Sequence, residues 1–374
     1  MMRVLHVYAG NLYGGIEAML STLARHSDAA PGLRQEFALA FDGRLAAELR
    51  EAGARVEIVG PVRRSLPWTV LRAGRRVRRL VRDGRHDAVI CHAAWSAATF
   101  GRAVARSGAP LVFWQHDAAT GLSAAERAAR RKARPAFAVC NSRFTRGTLP
   151  AIFPGVPSAV VRCPVPAPPA FSAADRAALR AELRTPNDHV VIAQTSRMEA
   201  WKGQRRHLRA LGRLRDVPGW TCWLAGGAQR PHEAAYVASL RAEAEALGIG
   251  DRVRFAGERA DIPRFLAAAD VLCQPNESPE PFGISLVEAL YAGLPVVTTT
   301  MGGATEVVDE RRGVLVPPGD DAAVADALRR LVVDAEARRS LGAAGPARAR
   351  EVSDPAARLR DLEAALATVV GGTA

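Results

Sequence analysis

Lysine is almost missing from this sequence: Lys132 and Lys202 are the two lysines among 51 basic residues, and the rest are arginine. Long apolar runs are missing too. No stretch approaches the roughly 18 consecutive apolar residues of a membrane-spanning helix, and "MMRVLHVYAG" passes from a short apolar run straight into a glycine loop, without the length or cleavage site of a signal peptide. Cysteine is sparse and odd in number. Cys91, Cys140, Cys163, Cys222 and Cys273 are widely spaced and mostly inside apolar, strand-like runs, which speaks against a disulfide framework and for buried thiols in a reducing, cytoplasmic setting. No nucleic-acid reader motif accompanies the positive charge, so nucleic acid is not an expected partner.

What is present indicates a globular protein. The 374 residues suffice for two domains with separate cores, and 48% hydrophobic content with scattered Gly and Pro excludes general disorder. The net charge of +13 is unevenly placed: residues 1–170 hold 25 basic and 11 acidic residues, whereas residues 171–374 hold 26 and 27. Much of the excess lies between Arg63 and Arg85, where Val70, Val77, Leu80 and Val81 recur at helical spacing and arginines fill the other faces. Two readings stand side by side: a solvated helix in an arginine-rich chain, or a face, Arg72–Arg82 with Trp68 at its start, that docks on anionic lipid at the inner face of a membrane.

Strand-length apolar runs alternate with helical patterns throughout, the signature of βαβ units and parallel sheets. "RVLHVYA", "EFALAF", "RVEIVG", "DAVICH", "PLVFWQ", "AFAVCN" and "AVVRC" precede "PVPAPPAF", whose four prolines disfavour both helix and central strand. The pattern then restarts with "HVVIAQTS", "TCWLAGG", "VRFAG", "VLCQP", "PVVTTT" and "GVLVPP". The expected organisation is an α/β chain of two Rossmann-like, doubly wound parallel-sheet domains facing across a cleft: residues 1–163, a proline-rich hinge at 164–175, residues 176–352, and a C-terminal helix over 353–374 able to pack back across the hinge. Such sheets bind ligands at the carboxyl ends of their strands.

Four stretches fall at such ends. In "AGNLYGGIEAML" a strand gives way to Gly10, Gly14 and Gly15 and then a helix, which is either a tight turn or a backbone cradle for an anion. It is neither a Walker loop nor the spaced dinucleotide fingerprint. "SRMEAWKGQ" puts Arg197 and Lys202 beyond a strand end, either as surface ion-pair members or as two cations for a diphosphate. "VFWQHD" ends a strand at His116, a residue that is either structural or a partner for a sugar hydroxyl.

The fourth is "ESPEPFGISLVEALYAGLPVV", with Glu280 and Glu288. On one continuous helix they would stand about 12 Å apart, at about 1.5 Å per residue, too far for a close acid–base pair. Pro281–Gly283 interrupts them, so Glu280 falls in a loop and Glu288 on the second turn of the following helix, where each addresses a different part of one extended ligand. Carboxylates suit vicinal diols such as a ribose, and the amides near Phe282, Gly283 and Ile284 suit phosphate. The alternative for Glu288 is an internal cap or pair. No His lies near and Cys273 sits in an apolar run, so a metal site is not indicated.

With these residues in place, the chain resembles the family 4 retaining glycosyltransferases of the GT-B fold over nearly its full length. "EPFGISLVEALYAGLPVVTTTMGGATEVV" is similar to the family's Glu-x7-Glu segment with its following strand and Gly-Gly turn, and "GGIE", "WQHD", "CNSRFTR" and "SRMEAWKG" come in the expected order. The resemblance implies Glu280 and His116 at the donor sugar, Glu288 at the nucleotide ribose, Arg197 and Lys202 at the diphosphate, and Gly14 and Gly15 near the phosphates. It also implies a nucleotide-sugar co-substrate, UDP favoured over GDP, with no other cofactor, no metal, and a glycan or lipid-linked acceptor in surface polysaccharide or glycolipid synthesis. Leaving-group charge would fall to Arg197, Lys202 and helix amides, and the acceptor hydroxyl would attack from the face the diphosphate leaves, since no dedicated nucleophile is visible. Closure about Pro164–Phe171 would exclude water. "VVRCPVPAP" departs from the family at the hinge, where many relatives carry an Asn-Gly turn. Two alternatives remain: a sugar-nucleotide epimerase of the same architecture, and a non-catalytic basic protein that binds membrane or nucleic acid.

Overall fold

A computed structural model of the chain describes residues 1–63 and 65–371. Arg64 in the basic stretch and residues 372–374 of the expected C-terminal segment lie outside the described residues. The chain divides into two compact units, Met1–Pro166 together with Ser353–Ala374, and Ala167–Val352.

The first unit is built on seven parallel strands: β1 (Met2–Tyr8), β2 (Leu33–Leu39), β3 (Arg55–Ile58), β4 (Ala88–His92), β5 (Leu111–Gln115), β6 (Phe137–Cys140) and β7 (Ser158–Val160). They lie in the order β3-β2-β1-β4-β5-β6-β7. Because helices cover both faces of such a sheet, its central strands read as near-continuous apolar runs. Side chains alternate between faces. Leu5, Val7, Val89, Cys91 and Phe113 enter the larger core cluster on one face. The intervening positions place His6, Phe37, Ile90, His92 and Trp114, all fully buried, on the other. Leu359, Leu362 and Leu366 of the helix Pro355–Val370 are buried in this unit as well.

The second unit has six parallel strands, β8 (Val190–Thr195), β9 (Trp220–Ala225), β10 (Val253–Gly257), β11 (Val271–Gln274), β12 (Val296–Thr299) and β13 (Gly313–Val316), in the order β10-β9-β8-β11-β12-β13. Ile192, Trp220, Cys222, Leu224, Val271, Cys273 and Val297 are buried in its main cluster. The helix Ala173–Glu182 opens the unit, and Ser172 caps it: its hydroxyl accepts from the Asp175 amide while Asp175 reaches back to the Ser172 amide. This Ser-x-x-Asp box starts the helix inside the stretch expected to be hinge, because a reciprocal cap satisfies two amides that the helix end leaves free. Residues 161–172 carry neither helix nor strand. Buried Arg180 locks that helix to the sheet: its guanidinium meets Asp270 Oδ2 at 2.6 Å and the His189 carbonyl at 2.9 Å, and the Val191 amide donates to the same Asp270 oxygen at 2.7 Å.

In both sheets the strand order reverses at the centre, between β1 and β4 and between β8 and β11. The loops that leave those strands at their carboxyl ends flank the crevice where open α/β sheets take their ligands.

Candidate active site

In the second unit the loops after β8 and β11 are stitched together by their backbones. Gly203 has φ of 75° and lies so close to the β11 loop that a Cβ there would stand 1.9 Å from the Pro275 carbonyl oxygen. Only glycine satisfies both the left-handed backbone and the contact. The Glu277 amide donates to the Trp201 carbonyl at 2.8 Å, and Gln194 Nε2 donates to the Lys202 carbonyl at 2.7 Å. The Lys202 side chain is thereby carried onto the β11 loop.

There it meets Glu280. Lys202 Nζ stands 2.8 Å from Glu280 Oε2, and the same oxygen accepts from Asn276 Nδ2 at 2.7 Å and Gln274 Nε2 at 3.1 Å. Three donors converge on one carboxylate oxygen of a residue only 6% exposed. Among the described residues none donates to Oε1. A carboxylate accepts at both oxygens, so Oε1 is the group Glu280 can present to a ligand hydroxyl. The Lys202 ammonium also lies 3.9 Å above the centre of the Trp201 ring, a cation–π contact that holds the charge without consuming its remaining N–H donors.

The backbone of Glu280 is held from the β12 side. Its carbonyl accepts from the Gly303 amide at 2.6 Å, and a Cβ on Gly302, whose φ is 69°, would stand 2.4 Å from that carbonyl oxygen. Gly283, with φ of 99°, then turns the chain into the helix Ile284–Tyr291. Phe282 is buried beside that turn, and the first amides of the helix, Ile284 among them, have no intrahelical acceptor.

Glu288 lies on the second turn of this helix, half-buried. Burial pushes its carboxyl up to about 7, and among the described residues no side chain pairs with it. It is therefore neither an internal cap nor half of an ion pair. Arg197 stands apart from the Lys202–Glu280 pair, its Nη2 2.9 Å from Glu199 Oε2, which also accepts from Trp201 Nε1 at 2.9 Å. Both expected cations are thus paired with carboxylates, the Arg197 guanidinium at the surface and the Lys202 ammonium largely buried.

Gly14, Gly15 and His116 belong to the first unit. Gly14 precedes the helix Gly15–Arg25 in an extended conformation, and its amide donates to Glu17 Oε2 at 2.9 Å, while Glu17 also binds the Tyr8 hydroxyl. In this geometry Gly14 offers a ligand its lack of a side chain rather than its N–H. His116 follows β5, is 6% exposed, and joins a line of buried histidines: its Nε2 lies 3.0 Å from His92 Nδ1, and His92 Nε2 lies 2.9 Å from His6 Nδ1. Sequence reading missed His6, His92, Gln274 and Asn276. The available signal was polarity inside apolar strands, as in "RVLHVYA", "DAVICH" and "VLCQP".

Residues 13–167 match the family described as Glycosyltransferase Family 4, and residues 175–348 match Glycosyl transferases group 1. Among similar proteins, the lipopolysaccharide core biosynthesis glycosyltransferase LpsE of Rhizobium meliloti is 36% identical over 168 residues, 44% of this chain and 46% of its own length. A D-inositol 3-phosphate glycosyltransferase of Xylanimonas cellulosilytica is 34% identical over 216 residues, 56% of this chain and 50% of its own. The chain thus spans about half the length of these relatives. The crystal structure of Anabaena HepE in complex with UDP-glucose superposes with a TM-score of 0.87 at 25% identity, covering 98% of this chain and 100% of that one.

The raised Glu288 pKa has a signed consequence. The folded state holds this proton more tightly than the unfolded state, so stability falls as pH rises from the ordinary value of 4.5 towards about 7, and levels off beyond it. Glu288→Gln removes that slope. Urea midpoints at about pH 4 and about pH 8 should show the variant gaining about 2 kcal/mol on the wild type across the interval. Parallel pH profiles for the two proteins would mean that the Glu288 carboxyl titrates as an ordinary solvated glutamate.

Proposed function

For this chain, which belongs to glycosyltransferase family 4 and has the GT-B fold, we propose transfer of a hexose-type sugar from a nucleotide diphosphate donor to an acceptor hydroxyl with retention of configuration. The observation that carries the reading is the Glu280 carboxylate, one oxygen saturated by Lys202, Asn276 and Gln274 and the other left for a ligand. A hydroxyl-rich ligand suits an oriented acceptor oxygen, and an anionic leaving group suits the ammonium beside it. In this assignment Glu280 Oε1 and His116 take sugar hydroxyls, and Glu288 takes the ribose diol. Lys202, Arg197 and the amides at Phe282, Gly283 and Ile284 take the diphosphate, with Gly14 and Gly15 leaving room for it. A UDP-sugar is favoured by the likeness to HepE, which was determined with UDP-glucose.

As the bond from sugar to diphosphate lengthens, charge grows on the leaving oxygens, and Lys202 and the helix amides stabilise it in place. Arg197 would exchange Glu199 for phosphate, to which its planar fork is matched. These fixed donors supply the electrostatic role a metal would otherwise fill. A raised Glu288 pKa fits the ribose assignment, since an ionised carboxylate that gains two hydroxyl donors regains what burial costs it. The likeness to lipopolysaccharide core and inositol phosphate glycosyltransferases supports an acceptor from surface glycan or glycolipid synthesis.

A membrane surface is part of the proposal. In the helix Pro67–Gly84, Thr69, Ala73, Gly74, Val77 and Val81 are buried. The opposite stripe at i, i+3, i+4 and i+7 spacing consists of Trp68, Leu71, Arg72, Arg75, Arg78, Arg79 and Arg82, all exposed, with Trp68 at 60% and Leu71 at 61%. Two exposed apolar groups beginning a cationic stripe fit docking on an anionic bilayer. No helix among the described residues is long and apolar enough to cross a membrane.

Calorimetry with UDP-glucose tests the donor site: Lys202→Ala should weaken binding about 10- to 100-fold, the loss of one charge-assisted contact, with an unchanged circular dichroism spectrum. Undiminished affinity in a folded variant would remove Lys202 from the site. For the surface, replacing Arg72, Arg75, Arg78 and Arg79 by Gln should abolish sedimentation with phosphatidylglycerol vesicles at low salt, while leaving UDP-glucose binding intact. Equal sedimentation of variant and wild type would refute the docking face.

A further inference from the structure

A line of four polar side chains crosses the first unit's sheet on strands that are neighbours in space: Gln35 on β2, His6 on β1, His92 at the end of β4 and His116 just beyond β5. The three rings form a hydrogen-bonded chain, His6 Nδ1 to His92 Nε2 at 2.9 Å and His92 Nδ1 to His116 Nε2 at 3.0 Å. Burial holds His6 and His116 neutral, down to about 3, and His92 well below its ordinary value. Each neutral imidazole has one N–H and one bare nitrogen. The chain can therefore run in only two senses, and whatever fixes one end fixes both.

Gln35 fixes the end. Its Nε2 donates to the Leu23 carbonyl at 3.3 Å, which orients the amide, since a carbonyl oxygen in that place would face another acceptor. The amide oxygen is then the atom left for His6. Gln35 Oε1 and His6 Nε2 are both buried with no hydrogen-bond partner among the described residues, and the two residues stand diagonally on one face of the paired strands β2 and β1. Only a proton on His6 Nε2 lets these two unpaired atoms satisfy one another. In the reverse sense, the bare His6 Nε2 would face the Gln35 oxygen and both buried atoms would go unsatisfied.

We propose that Gln35, acting through His6 and His92 as positioning residues, locks His116 with its proton on Nε2 and its Nδ1 bare. His6 Nε2–H points to Gln35, His92 Nε2–H donates to His6 Nδ1, and His116 Nε2–H donates to His92 Nδ1. No described residue bonds to His116 Nδ1, so the ring presents a neutral acceptor to its ligand. Such a group takes a hydroxyl hydrogen and rejects phosphate and carbonyl oxygens. It discriminates the sugar from the diphosphate at that position, a consequence that rests on the donor reading above, although the tautomer itself does not.

The test is long-range 1H–15N correlation on the full-length, ligand-free protein labelled with 15N-histidine, with the His116 signals assigned by their loss in His116→Gln. The expected spectrum shows a protonated, pyrrole-type Nε2 and a pyridine-type Nδ1 for His116. Gln35→Met keeps the side-chain length and removes the amide oxygen; His116 should then populate both tautomers while the circular dichroism stays native. A wild-type His116 protonated on Nδ1 overturns the proposal, as does a folded Gln35→Met protein that keeps a single Nε2–H tautomer. If Gln35→Met does not fold, the wild-type spectrum decides alone. UDP-glucose titration is read separately: an Nε2–H ring in a protein that ignores the nucleotide sugar sustains the relay and sinks the donor reading.

Discussion

Everything proposed at the second unit depends on one carboxylate oxygen, Glu280 Oε2, which gathers an ammonium and two amide donors from three different positions. Removing an ion pair from water is costly, and the attraction between its members offsets that cost only when geometry and extra hydrogen bonds are good. Here Gln274 and Asn276 supply those bonds, so the carboxylate is held rigid while almost fully buried. The glycines around it follow from the same constraint. Gly203 lets the Lys202 loop come within van der Waals range of the Pro275 carbonyl, and Gly302 lets the β12 loop reach the Glu280 carbonyl. A side chain at either position would push apart the loops whose approach makes the cluster.

The two units handle buried polarity differently. The second concentrates charge and balances it locally, in Lys202–Glu280 near the carboxyl ends of its strands and in Arg180–Asp270. The first pairs buried Glu36 with Arg3 in the same way, but its central histidine line is neutral. The three linked histidines share a sheet face with Gln35, Phe37, Ile90 and Trp114, and their rings stack in sequence with centroids 5.2 Å apart. A neutral hydrogen-bonded line satisfies each nitrogen without the desolvation penalty of a charge. Its orientation is decided at the end farthest from His116.

Much of the architecture was legible in the sequence because parallel strands covered on both faces must be apolar, and their helices must be amphipathic. "VVIAQT" and "VLCQ" could be little else. Lys202 was legible through the scarcity of its type, and Glu280 and Glu288 through the Pro-Phe-Gly break between them. Pairing was not. That Arg197 faces Glu199, that the Gly14 amide is taken by Glu17, and that Lys202 shares Glu280 with two amides are facts of three-dimensional approach that spacing does not encode. His6 and His92 were hidden for a related reason: one histidine in an apolar strand has no pattern of its own, and its meaning appears only when the strand order β2-β1-β4-β5 sets four such residues side by side.

The central claim is that the Lys202–Glu280 cluster is a preformed grip for the sugar diphosphate. A crystal structure of the protein with UDP-glucose tests it most directly. The account predicts the diphosphate at Lys202 and the start of the helix Ile284–Tyr291, a sugar hydroxyl on Glu280 Oε1, and the ribose at Glu288. Clear density for the nucleotide sugar away from these residues, with Glu280 untouched, would contradict it.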